Sequence, residues 1–106
     1  MCGINGFDFR DENLIKAMNE KTKHRGPDDV GVFMSQKWSL GHNRLSIIDL
    51  SAAGHQPMMS ADRKFIIAFN GEIYNFLEIK KELETLGYKF QSKTDTEVIL
   101  YAYQEW

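Results

Sequence analysis

One cysteine occurs in these 106 residues, and it stands at position 2. A lone cysteine excludes an internal disulfide framework, so the chain must close on apolar burial and hydrogen bonding alone. It also suits a reducing, cytoplasmic compartment. The length allows one domain and hardly two. Such a domain buries roughly 65% of its unfolded surface. Hydrophobic residues make up 42% and charged residues 26%, as in an ordinary soluble domain. The net charge of −2 carries none of the basic excess of a nucleic-acid binder. His24, His42 and His55 are scattered, and no Cys-x-x-Cys or His-x-x-x-His spacing marks a metal site. The N-terminus lacks a basic segment followed by an apolar run, so no signal peptide is expected. The longest apolar run, Phe65 to Phe69, is too short to span a membrane.

The position of Cys2 raises a second possibility. Removal of the initiator methionine would leave it as the first residue, with a thiol and a free α-amine together. A reference thiol titrates at about 8.5 and an α-amine at about 7.7–8.0. Near neutral pH part of the amine is therefore free to take the thiol proton, directly or through a water. This is the logic of an N-terminal nucleophile with its own base. Taken alone, Met1-Cys2-Gly3-Ile4 favours the simpler reading, a cysteine without function.

The chain reads as alternating short strands and helices. Residues 2–7 (CGINGF) form a strand whose glycines allow close approach of another backbone or ligand. Asp11 caps a helix over 12–22, with Leu14, Ile15 and Met18 on one face. Gly26-Pro27 ends it. Residues 30–35, 38–42 and 44–48 read as three strands, and 49–60 as a loop. Phe65 to Phe69 reads as a strand buried on both faces. Asn75 and Glu78 predict a capping box before a helix that carries Leu77, Leu83 and Leu86, with Gly87 as its stop. Tyr88 to Gln91 suits a short strand. Thr94 and Glu97 form a second capping box before a helix from Asp95 that is still in mid-pattern at Trp106.

Several residues could carry chemistry, each with a plainer alternative. Arg44 is an edge arginine laying its stem on the sheet, or a fork for a carboxylate. Asn70-Gly71, before Glu72, is a hairpin turn, or an amide and a backbone N–H placed to stabilise an oxyanion. Asp95 is a first-turn acid, or the partner of a ligand ammonium. The segments 24–28 (HRGPD) and 54–57 (GHQP) read as turns or as ligand-facing loops.

Six motifs occur in one order: Met1-Cys2-Gly3-Ile4, then HRGPDD at 24–29, LGHNRLSIIDLS at 40–51, AGHQPM at 53–58, FNGEIYNF at 69–76 and TDTEVIL at 94–100. Together they resemble the glutaminase domain of glutamine-hydrolysing asparagine synthetases, a class II glutamine amidotransferase. The resemblance covers essentially the whole chain and outweighs the simpler reading of Cys2. It implies an α+β fold, the αββα sandwich of N-terminal-nucleophile hydrolases with antiparallel sheets, of which these residues supply the first half. Residues 1–106 would be an incomplete amidotransferase domain, with Met1 removed and the synthetase domain absent.

The resemblance also assigns roles. Cys2 would be the nucleophile and its α-amine the base. Arg44 would hold the glutamine α-carboxylate, with the backbone of Leu45, Ile47 and Ile48 lining that side. Asn70 and Gly71 would form the oxyanion hole, and Glu72 and Asp95 would orient the α-ammonium. No role falls to Asn5 or Asn43. The segment itself needs no cofactor and no metal. ATP and Mg would belong to the absent synthetase domain, since nothing here resembles its pyrophosphate loop.

The released ammonia would serve asparagine synthesis from aspartate. A sugar or surface-polysaccharide acceptor is the alternative, and the RLSIIDLS and GEIYNF motifs favour the former. A reading of another class is a non-catalytic fragment. A half-sandwich exposes an apolar sheet face, which would pair with the C-terminal remainder, a complementary chain, or a second copy as a homodimer.

Overall fold

The computed structural model describes all of residues 1–106. Strand β1 (Gly3–Phe7) leads to helix α1 (Glu12–Thr22), a 3-10 turn at Lys23–Arg25, and strands β2 (Asp29–Met34) and β3 (Ser39–Arg44). A second 3-10 turn, Ala52–Gly54, precedes the short strands β4 (Met58–Met59) and β5 (Ile66–Ile67). Helices α2 (Phe76–Thr85) and α3 (Asp95–Glu105) complete the chain.

Strand β3 lies between β1 and β2, antiparallel to both. Gly3 pairs with Asn43 and Phe7 with Ser39; Asp29 pairs with Arg44 and Met34 with Ser39. Side chains alternate across a strand, and β3 uses both faces for polar contacts. On one face lies α1. The Asp11 N–H donates to Ser39 Oγ (3.0 Å), and Asn43 Nδ2 donates to Asn19 O and Thr22 Oγ1 (both 2.7 Å). At Gly41 any side chain would strike Asn19, 2.2 Å from an ideal Cβ. The other face meets the β4–β5 side. A Cβ at Gly31 would lie 1.9 Å from the Gln56 carbonyl oxygen, so glycine permits this approach. Beyond β4 and β5 lies α3, packed against α2 through Leu83, Val98 and Tyr101. The layer order is thus helix, three-stranded sheet, two-stranded sheet, helix pair: an α+β arrangement with antiparallel sheets.

Local signals explain several elements. Asp11 caps α1, its carboxylate accepting from Leu14 N (2.9 Å). Gly87 stops α2 with φ +99. The Gly87 N–H then returns to Glu84 O and the Tyr88 N–H to Leu83 O (both 3.1 Å).

Other expectations need correction. The proposed strands at 38–42 and 44–48 are one strand that stops at Arg44. Past that residue the Leu45 N–H turns to Cys2 Sγ (3.3 Å) and the Ser46 N–H to Asp28 Oδ2 (2.8 Å), so no ladder continues. Phe65 to Phe69 is only half-buried, and two of its residues pair. Its sole partner is the two-residue β4. No strand returns after Asn70-Gly71, so that pair makes no β-hairpin. Asn75 makes no side-chain cap. Thr94 does cap α3, but Glu97 reaches past it to Gln91 N (2.9 Å) and Ser92 N (2.7 Å). Tyr88 to Gln91 form no strand; Tyr88 and Phe90 instead pack on Tyr101. Among the predicted apolar stripes, Ile15 and Leu83 are buried, while Leu14, Leu77 and Leu86 are exposed. Exposed apolar residues occur on edge strands (Ile4, Val30), on helices (Leu77, Tyr103) and in loops (Ile47, Leu50, Tyr74). No helix is long and apolar enough to cross a membrane.

Candidate active site

The start of β1 and the end of β3 lie side by side, because Gly3 pairs with Asn43. That register sets Cys2 beside Arg44 and Leu45. Three further bonds hold Cys2: its thiol sulfur accepts from Leu45 N (3.3 Å), its S–H donates to Leu45 O (3.8 Å), and its carbonyl accepts from Arg25 Nε (3.1 Å). A backbone N–H aimed at sulfur is a ready donor to a thiolate.

Arg44 is buried despite its charge, which is costly unless the group is satisfied. Its guanidinium donates to Ser51 O (2.9 Å), Ile48 O (3.1 Å) and Asp49 O. Three of its five N–H donors are thus spent on the loop that follows its own strand. Gly54 makes room for it, since an ideal Cβ there would sit 2.0 Å from Nη2.

After β5 the chain turns outward. Asn70 and Gly71 are exposed, and the Gly71 N–H makes no backbone hydrogen bond. Beyond them the Ile73 N–H donates to Asp95 Oδ2 (3.0 Å), which brings the first turn of α3 to the same place.

One cleft results. Cys2, Arg44, Leu45, Ile47 and Ile48 line it from the first sheet and the loop after it; Asn70, Gly71, Glu72 and Asp95 line it from the other side of the fold. All nine residues singled out from the sequence therefore face a single space. It offers a thiol, a cation, two carboxylates, a side-chain amide and a free backbone N–H. Those groups suit a ligand with separate anionic, cationic and amide ends.

Gly54 and Gln56, from the 54–57 segment that reads as a turn or a ligand-facing loop, also line the cleft, and so do Phe69 and Thr96, to which the sequence reading gave no role. His42 lies behind it, its Nε2 3.0 Å from Phe69 O. Burial pushes the His42 ring below the ordinary histidine range. The one available signal was their place inside the GHNRLS, AGHQPM, FNGE and TDTE motifs. Asn5 and Asn43, left without a role, join Asn19 and Thr22 in a polar network under the sheet. No group of three or more His, Cys, Asp or Glu residues is placed to hold a metal ion.

Comparison with known proteins identifies the family. Residues 1–106 match the family described as glutamine amidotransferase domain. The glutamine-hydrolyzing asparagine synthetase 1 of Bacillus subtilis (strain 168) is 47% identical over 95 residues, 90% of this chain and 15% of that protein. A putative glutamine-hydrolyzing asparagine synthetase 2 of Methanocaldococcus jannaschii is 42% identical over 127 residues, 99% of this chain and 24% of that protein. Asparagine synthetase B of Escherichia coli (strain K12) is 39% identical over 111 residues, 99% of this chain and 20% of that protein. The chain thus spans between 15% and 24% of the length of these relatives. A family match over the full chain, together with a thiol, cation and carboxylates in one cleft, establishes that this chain belongs to the glutamine amidotransferase domain family.

Proposed function

We propose that this chain hydrolyses the side-chain amide of glutamine with Cys2 as nucleophile, and that the ammonia released serves asparagine synthesis from aspartate. The observation that carries the reading is the convergence on one cleft of the nine residues to which the ordered motifs point.

With Met1 removed, the Cys2 α-amine takes the thiol proton. The thiolate attacks the glutamine amide carbon, a C–S bond forms, and the carbonyl π pair moves onto oxygen. The Asn70 amide and the Gly71 N–H donate to that oxyanion. The ammonium of Cys2 returns its proton to the amide nitrogen, the C–N bond breaks and ammonia leaves. Water then hydrolyses the γ-glutamyl thioester to glutamate and free thiol. Arg44 receives the α-carboxylate through the N–H groups not spent on its loop. Glu72 and Asp95 face the α-ammonium. The named relatives, all glutamine-hydrolyzing asparagine synthetases, support the choice of ammonia acceptor.

The test is intact mass after incubation with a chloroketone analogue of glutamine, with and without excess glutamine. The expected product lacks Met1 and carries one adduct, which glutamine suppresses. A chain that keeps Met1, or is trimmed but stays unlabelled, would overturn the mechanism.

A further inference from the structure

Phe69 is the residue before the proposed oxyanion donors, and neither of its backbone polar groups joins a strand ladder. Its N–H donates to Gln56 Oε1 (2.6 Å), and its carbonyl is 3.0 Å from His42 Nε2. Both captors are buried. They come from different layers, His42 from β3 and Gln56 from the loop before β4. A carbonyl can only accept, so His42 Nε2 carries the proton, and Nδ1 is the bare nitrogen, without a partner. Gln56 also donates through Nε2 to Thr96 Oγ1 (3.2 Å), in the first turn of α3. On the far side of the donors, Ile73 N is held by Asp95 Oδ2.

We infer that His42 and Gln56 are positioning residues that set the oxyanion donors Asn70 and Gly71 by clamping the Phe69 backbone between them. The inference rests on the glutaminase reading above. Peptide units are planar. His42 fixes the plane that joins Phe69 to Asn70, and Gln56 fixes the plane before it. A bond to each of the two planes narrows the Phe69 dihedrals, and with them the place of the Asn70 Cα. Asp95 then anchors Ile73, and the short span holding Asn70 and Gly71 is tied at both ends. An exposed segment gains the fixed geometry that oxyanion stabilisation needs without being part of a sheet.

Paired substitutions in the 106-residue chain test this. Gln56→Met and His42→Leu remove the bonds at similar volume. Gln56→Glu keeps an acceptor for the Phe69 N–H and the Thr96 hydroxyl, and His42→Gln keeps a donor for the Phe69 carbonyl. A misplacement of about 1 Å can cost ~10²-fold. Gln56→Met and His42→Leu are therefore expected to lower kcat by ~10–10²-fold with KM for glutamine changed by less than roughly threefold. Gln56→Glu and His42→Gln are expected to recover most of that loss.

A binding pair separates positioning from general damage. Glutamate γ-semialdehyde adds the Cys2 thiolate to form a thiohemiacetal whose oxygen sits in the oxyanion place, whereas glutamate does not. Gln56→Met and His42→Leu should weaken the semialdehyde and spare glutamate. Amide exchange gives a further reading, because Gln56→Met should release the Phe69 N–H while β3 amides stay protected. Variants that keep kcat and semialdehyde affinity, or lose both ligands equally, would overturn the clamp. A wild-type chain that hydrolyses no glutamine would instead overturn the glutaminase reading, and the clamp with it.

Discussion

Gly54→Ala should disable Arg44 without touching it. The new Cβ would lie 2.0 Å from Nη2, 2.4 Å from Cζ and 2.7 Å from Nη1 of that side chain. An ordinary contact between heavy atoms needs about 3.5 Å, so the guanidinium must retreat by about 1.5 Å. It is buried and bonded to Ser51 O at 2.9 Å and Ile48 O at 3.1 Å, and a movement of that size breaks at least one of those bonds. A hydrogen bond to a charged group contributes about 1.5–3 kcal/mol, and a buried donor left without an acceptor costs more. The expected loss is therefore about 2–4 kcal/mol. For a domain near this size each kcal/mol moves Tm by at least about 4 °C. Thermal melts followed by circular dichroism should show Gly54→Ala lowered by about 8 °C or more. Displacement should also spoil the carboxylate fork, raising KM for glutamine by ~10-fold, the equivalent of one such bond. A variant melting within about 2 °C of wild type, with KM unchanged, would refute the geometry.

Asn70→Ala should lower kcat by ~10²–10³ with little change in KM, since an oxyanion donor acts in the transition state; comparable losses in both constants would exclude that role. Gly87→Ala places a side chain at φ +99 with nothing within 4 Å of it. Its cost is backbone strain alone, about 1 kcal/mol by urea denaturation, and glutamine turnover should not change; a neutral variant would argue against this stop for α2. The Asp49 carboxyl is held down at about 2 by the Ser51 hydroxyl and the backbone N–H groups of Lys93 and Ser51, against an ordinary 3.8. A depressed folded pKa stabilises above the unfolded value, and that stability fades as pH falls from 3.8 toward about 2. Urea midpoints of Asp49→Asn should depend less on pH across that window, and an unchanged slope would remove Asp49 from the acid response.

The sequence disclosed elements whose signals are local. Asp11 and Gly87 mark the ends of α1 and α2 because a cap or a left-handed residue acts within a few positions. Two of the misread segments are places where a distant group captures the backbone. Nothing near Leu45 shows that its N–H will leave the strand for Cys2 Sγ, 43 residues away in sequence. Nothing near Phe69 shows that Gln56 and His42 will take both its polar groups, so an apolar run read as a buried strand. The site residues were legible only through the ordered motifs. Arg44 alone reads equally as an edge residue, and Asn70-Gly71 as a hairpin. His42 and Gln56 stand in those same motifs, yet their roles depend on a residue from another layer, which no local pattern contains.

The interior carries a related consequence. Five buried residues are large and apolar: Ile15, Leu83, Val98, Leu100 and Tyr101; twelve are polar or charged. Apolar contact is non-directional and could not by itself aim groups from short, separate segments at one cleft. Hydrogen bonds are directional, and those of the buried side chains are nearly all made: among their nitrogen and oxygen atoms only His42 Nδ1 and Asn43 Oδ1 are without a partner. The bonds that aim Phe69 and the first turn of α3 are also bonds that join the layers, and those of the buried Arg44 tie β3 to the loop after it. Substituting Arg44, His42 or Gln56 should therefore lower melting temperature and turnover together. Asn70 and Glu72 are exposed and carry no bond between layers, so Asn70→Ala and Glu72→Ala should lose activity at an unchanged melting temperature. If Asn70→Ala melted as far below wild type as Gln56→Met, the division between groups that hold the site and groups that act in it would be wrong.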